Sequence, residues 1–272
     1  MPYRQGHWYV GLVLAVILAG FWASYWSPIG HVPVAFHVHA LSSSAWLLLL
    51  IVQSLAIQRR NNDLHRQLGL ASFALFPLLM LGFMLIIDLS AQNHARAVHP
   101  FSVFLGPSFF SGMAVALVAY LTLFYLALKH RRNIALHAGY MLATPLILFE
   151  SPFSRVIERF LPWLNIIGSD GPRQVLDVIV IANVIAITFA LILYARKRTT
   201  GAPWLLAAGF MALQSLVMWF APTVPALGEL LRAYAAIPLG LTASTGIAAG
   251  ALAGWLGWRA GGGTRRPARA AA

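Results

Sequence analysis

The stretch Gln58 to Gly69, QRRNNDLHRQLG, decides how this chain folds. It is a short basic turn that ends in a histidine and runs straight into apolar sequence. A second copy follows one hairpin later. Leu55-Ala56-Ile57 leads through Arg59-Arg60-Asn61 to Leu64-His65, and Leu126-Ala127-Leu128 leads through Arg131-Arg132-Asn133 to Leu136-His137. After each histidine the same spacing brings Leu-Ala-Ser/Thr, at Leu70-Ala71-Ser72 and at Leu142-Ala143-Thr144. The pattern predicts two helical hairpins on one plan, with equivalent side chains placed around a shared axis. A third hairpin, closing at Arg196-Lys197-Arg198, keeps the basic turn and lacks the histidine.

Composition sets the class that these hairpins belong to. Of 272 residues, 60% are apolar and only 10% charged, and the mean hydropathy is +0.75. A chain of that kind is an integral membrane protein, all-α and polytopic, not a soluble core. There is no cysteine, which excludes disulfides, thiolate metal sites and iron–sulfur clusters. The formal charge of +12 does not point to nucleic acid, because it is concentrated in the short connections between apolar runs. The partners it implies are membrane lipids, with a redox partner or a small-molecule substrate left open.

Requiring roughly 20 apolar residues per crossing predicts spans at about 8–26, 36–57, 67–88, 108–128, 136–150, 174–195, 202–221 and 233–257. Eight crossings put both termini on one side. Arg4, Arg59, Arg60, Arg66, Lys129, Arg131, Arg132, Arg196, Lys197, Arg198, Arg259, Arg265, Arg266 and Arg269 all fall on that side, fourteen of the 19 basic residues. The positive-inside rule makes it the cytoplasmic side of a bacterial inner membrane. Residues 1–258 then form one transmembrane domain, and 259–272 a basic, disordered cytoplasmic tail resting on the inner leaflet. The first span is kept as a helix rather than a cleaved signal, since Trp22, Tyr25 and Trp26 close it as an aromatic belt. Leu89 to Pro107 reads as a long outward connection, and SRVIERFLPWL, residues 154–164, as an interfacial amphipathic helix.

Polar groups inside a membrane are costly and so are the default functional candidates. Asp88, Glu150 and Asp177, with His39, His94 and His99, are expected in one outward-facing polar cavity. Within it Glu150 and Asp88 are the candidate acid/base residues. Pro145 and Pro152 bracket Glu150, so the fifth span is expected to be kinked or broken. His37 and His39 lie two apart, about 200° around a helix, and do not share one ion. One of them with Asp88, His99 or Glu150 suggests zinc, iron or copper at an imidazole and carboxylate site, with His39, His99 and Asp88 the ligand set. The plainer reading of His31, His37, His94 and His99 is that of headgroup-level histidines. Ser42, Ser43 and Ser44 offer a hydroxyl beside His39 without a nucleophile-elbow context. Gly240, Gly246 and Gly250 suggest close helix contact in the last span, and Asn183, Gln214, Thr242, Ser244 and Thr245 helix packing.

The inner pair is of another kind. Haem b needs two imidazoles on opposite faces of one iron, and His65 and His137 sit at equivalent positions of two related helices. Arg66, Arg131 or Arg132 are then the partners for the propionates, Arg66 and Arg132 being named with the site. His39 with His99 would hold a second haem and carry electrons across the membrane. The plainer alternative has both inner histidines simply continuing the basic turns.

Ser44-Ala45-Trp46 with Gln53, then LHRQLG at 64–69 and HAGYMLAT at 137–144, resembles a widespread group of uncharacterised bacterial multi-pass membrane proteins with L-H-R-x-L-G and H-x-x-Y-M-L-A-T segments. The resemblance covers the second to fifth spans; it implies a multi-pass helical fold and brings no activity with it. A looser likeness, to cytochrome b561-type bundles, rests on histidines at both helix ends and implies haem. Three functions are therefore expected in competition: a b-type haem redox protein, a metal-dependent membrane hydrolase acting on lipid, and a proton-coupled transporter or sensor.

Overall fold

The computed structural model describes residues 2–262, and every regular element among them is helical. Ten α-helices follow in order: α1 Gly6–Gly20, α2 Val34–Gln58, α3 Asn62–Ala95, α4 Pro100–Lys129, α5 Ile134–Ala143, α6 Glu150–Phe160, α7 Gln174–Arg196, α8 Ala202–Phe220, α9 Pro225–Ala235 and α10 Leu239–Gly262. Six helices are long and apolar enough to cross a membrane, namely α2, α3, α4, α7, α8 and α10. α5 and α6 together pass the same test but bend by 45° at their junction. α1 has 15 residues and continues as a π-helical turn, Trp22–Trp26.

The repeated turns fold alike for a local reason. Asn61 Oδ1 accepts the Leu64 amide at 3.0 Å, and Asn133 Oδ1 accepts the Leu136 amide at 3.2 Å. Each asparagine thus satisfies a backbone donor that the first turn of a helix leaves free. The same cap starts α3 and α5 and puts a histidine one residue later.

Long-range bonds gather the basic turns at one end of the bundle. Gln58 donates to the Arg4 carbonyl at 2.7 Å. Trp204 at the start of α8 donates to the Tyr3 hydroxyl at 3.1 Å. Arg131 donates to the Trp258 carbonyl at 2.8 Å with its guanidinium over the Trp258 ring. His130 lies in the second of these turns, and partial burial, with Lys129 next to it, lowers its basicity.

Three expectations change. Leu89 to Pro107 is no long connection: α3 runs on to Ala95 and α4 begins at Pro100, leaving a four-residue turn. Pro100 sits in the first turn, where a missing N–H costs nothing, and His99 caps the helix by accepting the Phe101 amide at 3.1 Å. Pro107 lies inside α4, as Pro77 does inside α3, which apolar spans tolerate when neighbours cover the break. Second, the segment predicted as 233–257 is two helices, since Ile237-Pro238 separates α9 from α10. Third, α10 extends through Arg259 to Gly262, so the first four residues of the expected tail are helical; residues 263–272 lie outside the described residues.

The amphipathic segment after Glu150 does form a helix, but α6 packs on α1 and α7, with Ile157 fully buried. At 34 residues α3 is about 51 Å long, well beyond a roughly 30 Å hydrocarbon layer. α10 lies along it through small residues. A Cβ on Gly250 would stand 2.9 Å from Pro77 Cα, and one on Gly246 2.5 Å from Met84 Cγ. Gly240 meets nothing within 4 Å and plays no part in that contact. Gly250→Ala and Gly246→Ala should therefore lower stability by about 1–3 kcal/mol through overpacking. Gly240→Ala should leave it unchanged or raise it by up to about 1 kcal/mol, all read as thermal unfolding in detergent.

Candidate functional site

The break in the fifth span places one acidic residue inside the bundle. α5 ends at Ala143, a 3-10 turn covers Thr144–Leu146, and Glu150 opens α6 after the bend. Pro145 allows this because it cannot continue the α-helical ladder. Trp46 fixes it: its indole N–H donates to Thr144 Oγ1 at 3.0 Å, and the Thr144 hydroxyl donates to the Met141 carbonyl at 2.8 Å.

Glu150 is 3% exposed. Gln214 of α8 donates its amide to Glu150 Oε1 at 3.3 Å and reaches the Gly112 carbonyl of α4 at 3.5 Å. Two acceptors in this group have no partner: Glu150 Oε2 and Gln214 Oε1. Tyr120 of α4 and Arg155 of α6 lie close enough to feel the Glu150 charge. Arg155 is held on its own helix by the Ser151 carbonyl at 2.5 Å, with its guanidinium over Phe21. The site is thus a carboxylate and an amide between α4, α6 and α8, with one oxygen of each left without a partner. Its chemistry suits a proton or a small cation, which would supply what those two oxygens lack.

The other predicted members of an outer cavity are placed elsewhere. Asp88 is buried between α3 and α10, accepting the Thr242 hydroxyl at 2.7 Å. Tyr234 of α9 stands beside it, and burial together with the Asp88 charge pushes its phenol well above the ordinary value. Asp177 is tied to the loop before α7, accepting the Ser169 amide at 2.7 Å and the Ser169 hydroxyl at 2.8 Å. Asn183 is fully buried on α7 with both amide atoms unpartnered. Three acids expected in one cavity therefore have three separate sets of partners.

His37 and His39 also diverge, as their spacing requires. His37 meets the Tyr25 hydroxyl at 3.1 Å, while His39 packs on Phe83 with its Nδ1 unpartnered. Ser42 bonds back to the His39 carbonyl and presents no nucleophile. The structure does not bring His39 and His99 together. His39 lies against Gly82, and α3 continues for about 20 Å beyond that point before the turn that carries His99. The acceptor nitrogen of His99 is already used as the α4 cap. Among the described residues no group of three His, Asp or Glu side chains is arranged to hold a metal. The set His39, His99 and Asp88 is accordingly not assembled.

The inner histidines stand at the same basic end, close enough for the charge of His137 to reach His65. His137 Nδ1 lies 2.9 Å from the Ala127 carbonyl, so Nδ1 carries the hydrogen and Nε2 keeps its lone pair. The buried Nδ1 of His65 has no partner, while its backbone carbonyl accepts Gln53 at 3.2 Å. Arg66 and Arg132 stand exposed at the same turns.

Neither a family model, nor a curated protein, nor a solved structure matches this chain. Sequence reasoning missed the Gln214 partnership and the Thr242 one, both read as helix packing. A polar side chain in mid-span is the signal for each, but its partner is set by which helices neighbour one another. Thr242→Val keeps the shape and removes the donor to Asp88, and should cost about 2 kcal/mol. Ser244→Ala, where an exposed hydroxyl only bonds its own helix, should be neutral in the same unfolding assay.

Proposed function

We propose that this chain is a membrane protein that takes up and releases a proton, alone or coupled to a solute, at Glu150. The observation that carries this reading is the unpartnered Glu150 Oε2 at the start of a half-helix, inside the bundle, beside an unpartnered amide oxygen. Broken spans with polar groups at the break are a recurrent way to build a transport site, because the loosened backbone lines the pathway. Gln214 orients the carboxylate, and Arg155 holds a compensating charge along α6. The topology that goes with this reading has eight crossings, counting α1 with its π-turn and the bent α5–α6 pair. Both termini are then on the cytoplasmic side of a bacterial inner membrane. The gathering of the basic turns at one end supports it through the positive-inside rule.

In proteoliposomes carrying an internal pH dye under an imposed potential, Glu150→Gln should lower proton flux at least about tenfold, a barrier increase of roughly 1.4 kcal/mol. Arg96→Gln, in the outer turn, should leave it unchanged. Infrared difference spectra across pH should show a carboxyl band that Glu150→Gln removes. Equal flux and an unchanged band in the variant would refute the assignment.

A second reading is favoured by the inner pair. We infer that His65 and His137 are suited to hold a b-type haem, since one imidazole has its Nδ1–H committed to a carbonyl and the other has a buried nitrogen without a partner. Arg66 and Arg132 would meet the propionates. Bound there, the group would supply one-electron chemistry. Purified, haem-supplemented protein should show a Soret band that dithionite sharpens and that His65→Ala and His137→Ala remove. A featureless spectrum ends this reading and leaves the Glu150 proposal untouched.

A further inference from the structure

One face of α8 is left uncovered by the rest of the bundle. At the basic end α5 touches α8 closely, where a Cβ on Gly139 would stand 2.9 Å from Pro203 Cγ. Beyond that contact the two helices part, because α5 stops at Ala143 and the body of α6, after the bend, packs on α1 and α7. The gap is a shallow groove of about 510 Å³, lined by Tyr140 of α5 and by Ala202, Leu205, Gly209 and Leu213 of α8 among others. It is open along its side, and Leu205 and Leu213 are each 46% exposed. Gly209 leaves room in it, since a Cβ there would meet nothing within 4 Å.

Depth and charge together define what fits. From Ala202 to Leu213 α8 rises about 16 Å, close to half of a roughly 30 Å hydrocarbon layer and so the depth of one leaflet. At the end where α8 begins, the chain runs through Arg196-Lys197-Arg198-Thr199-Thr200-Gly201, three cations and no acid. All three are exposed, and the ion pair found among the described residues, Glu229 with Arg232, lies in α9. The first turn of α8 adds the positive end of its helix dipole at the same place. The other basic turn borders the groove through His130, whose ring stacks on Tyr140 at 5.8 Å, while Arg131 is turned to Trp258.

A free phosphate would use the cations and leave the apolar strip bare. A neutral hydrocarbon would do the reverse. A second copy of the chain, related by an axis along the membrane normal, would bring another Arg-Lys-Arg turn to the same level, like charge against like. A molecule with an anionic head and an apolar tail one leaflet long satisfies both ends, and basic pockets between spans are a recognised setting for such headgroups.

We propose that the groove between α5 and α8 holds one anionic phospholipid, its phosphate at the turn Arg196 to Arg198 and one acyl chain along Leu205, Gly209 and Leu213. The lipid lies on the outside of the bundle, apart from Glu150, and covers the face that the break in the fifth span leaves bare.

The test titrates the full chain in detergent with dioleoyl phosphatidylglycerol and, in parallel, with dioleoyl phosphatidylcholine, which has the same chains and no net charge. Native mass spectrometry reads the first lipid bound. Phosphatidylglycerol should bind about tenfold or more tightly than phosphatidylcholine, and Lys197→Gln combined with Arg198→Gln should remove that preference. Gly209→Trp, which fills the groove from a position with open space around it, should weaken phosphatidylglycerol by about tenfold or more through loss of acyl-chain burial. Gly209→Ala, and Arg232→Gln in α9, should leave its binding unchanged. Equal affinity for the two lipids would mean apolar partition only. Undiminished binding in Gly209→Trp would mean a headgroup contact without the groove, and displacement by glycerol 3-phosphate would mean a free-phosphate site. Each of these results would overturn the proposal.

Discussion

The hydrogen bond from Trp46 to Thr144 holds the rest of this structure in place. A span that breaks inside an apolar medium exposes backbone groups that water does not reach, and each must find a partner. Thr144 meets that demand by donating its hydroxyl to the Met141 carbonyl, and the indole of Trp46, donating to the same hydroxyl, holds it there. Trp46 is 1% exposed and is itself held among Phe76 and Phe124, at ring separations of 5.3 and 5.7 Å. α2, α3, α4 and the break are therefore packed around one indole. Because the break is fixed, α6 can start inside the bundle, and because α6 starts there, Glu150 is inside too.

Glu150 and Asp88 show how differently two acids in apolar surroundings are treated. Asp88 is provided for: a threonine hydroxyl donates to one oxygen and a tyrosine stands alongside. It joins α3, α9 and α10, and its role is to bind helices together. Glu150 receives a long amide bond from Gln214 beside the backbone amides at the start of α6, and its Oε2 keeps no partner. A polar group left short of partners at the break of a span is what a site needs if something is to bind there and leave again.

The repeated hairpins give the basic end its order. Asn61 and Asn133 cap two helices in the same way and deliver His65 and His137 to neighbouring places. The segments around Trp46, Gln53, His65, His137 and Thr144 are connected by direct bonds or by charge. Their clustering makes physical sense of why those residue types occur together in one chain.

Much of this was legible in the residues alone. Apolar runs bounded by Arg-Arg-Asn turns determined which segments are helices and which end of the bundle is basic, since each turn can solvate its charges only outside the apolar layer. Pro145 and Pro152 marked the break. Prolines misled elsewhere: Pro100 and Pro107 looked like a loop because the sequence does not show that one starts a helix and the other is covered by neighbours. Nor could it tell that His39 and His99 stand far apart, that Asp88, Glu150 and Asp177 go to separate partners, or that Gln214 reaches Glu150. Those facts depend on which helix lies beside which, and at what height. Loops of a few residues leave that order open, whereas side-chain packing such as Gly250 against Pro77 and Trp46 against Phe124 decides it.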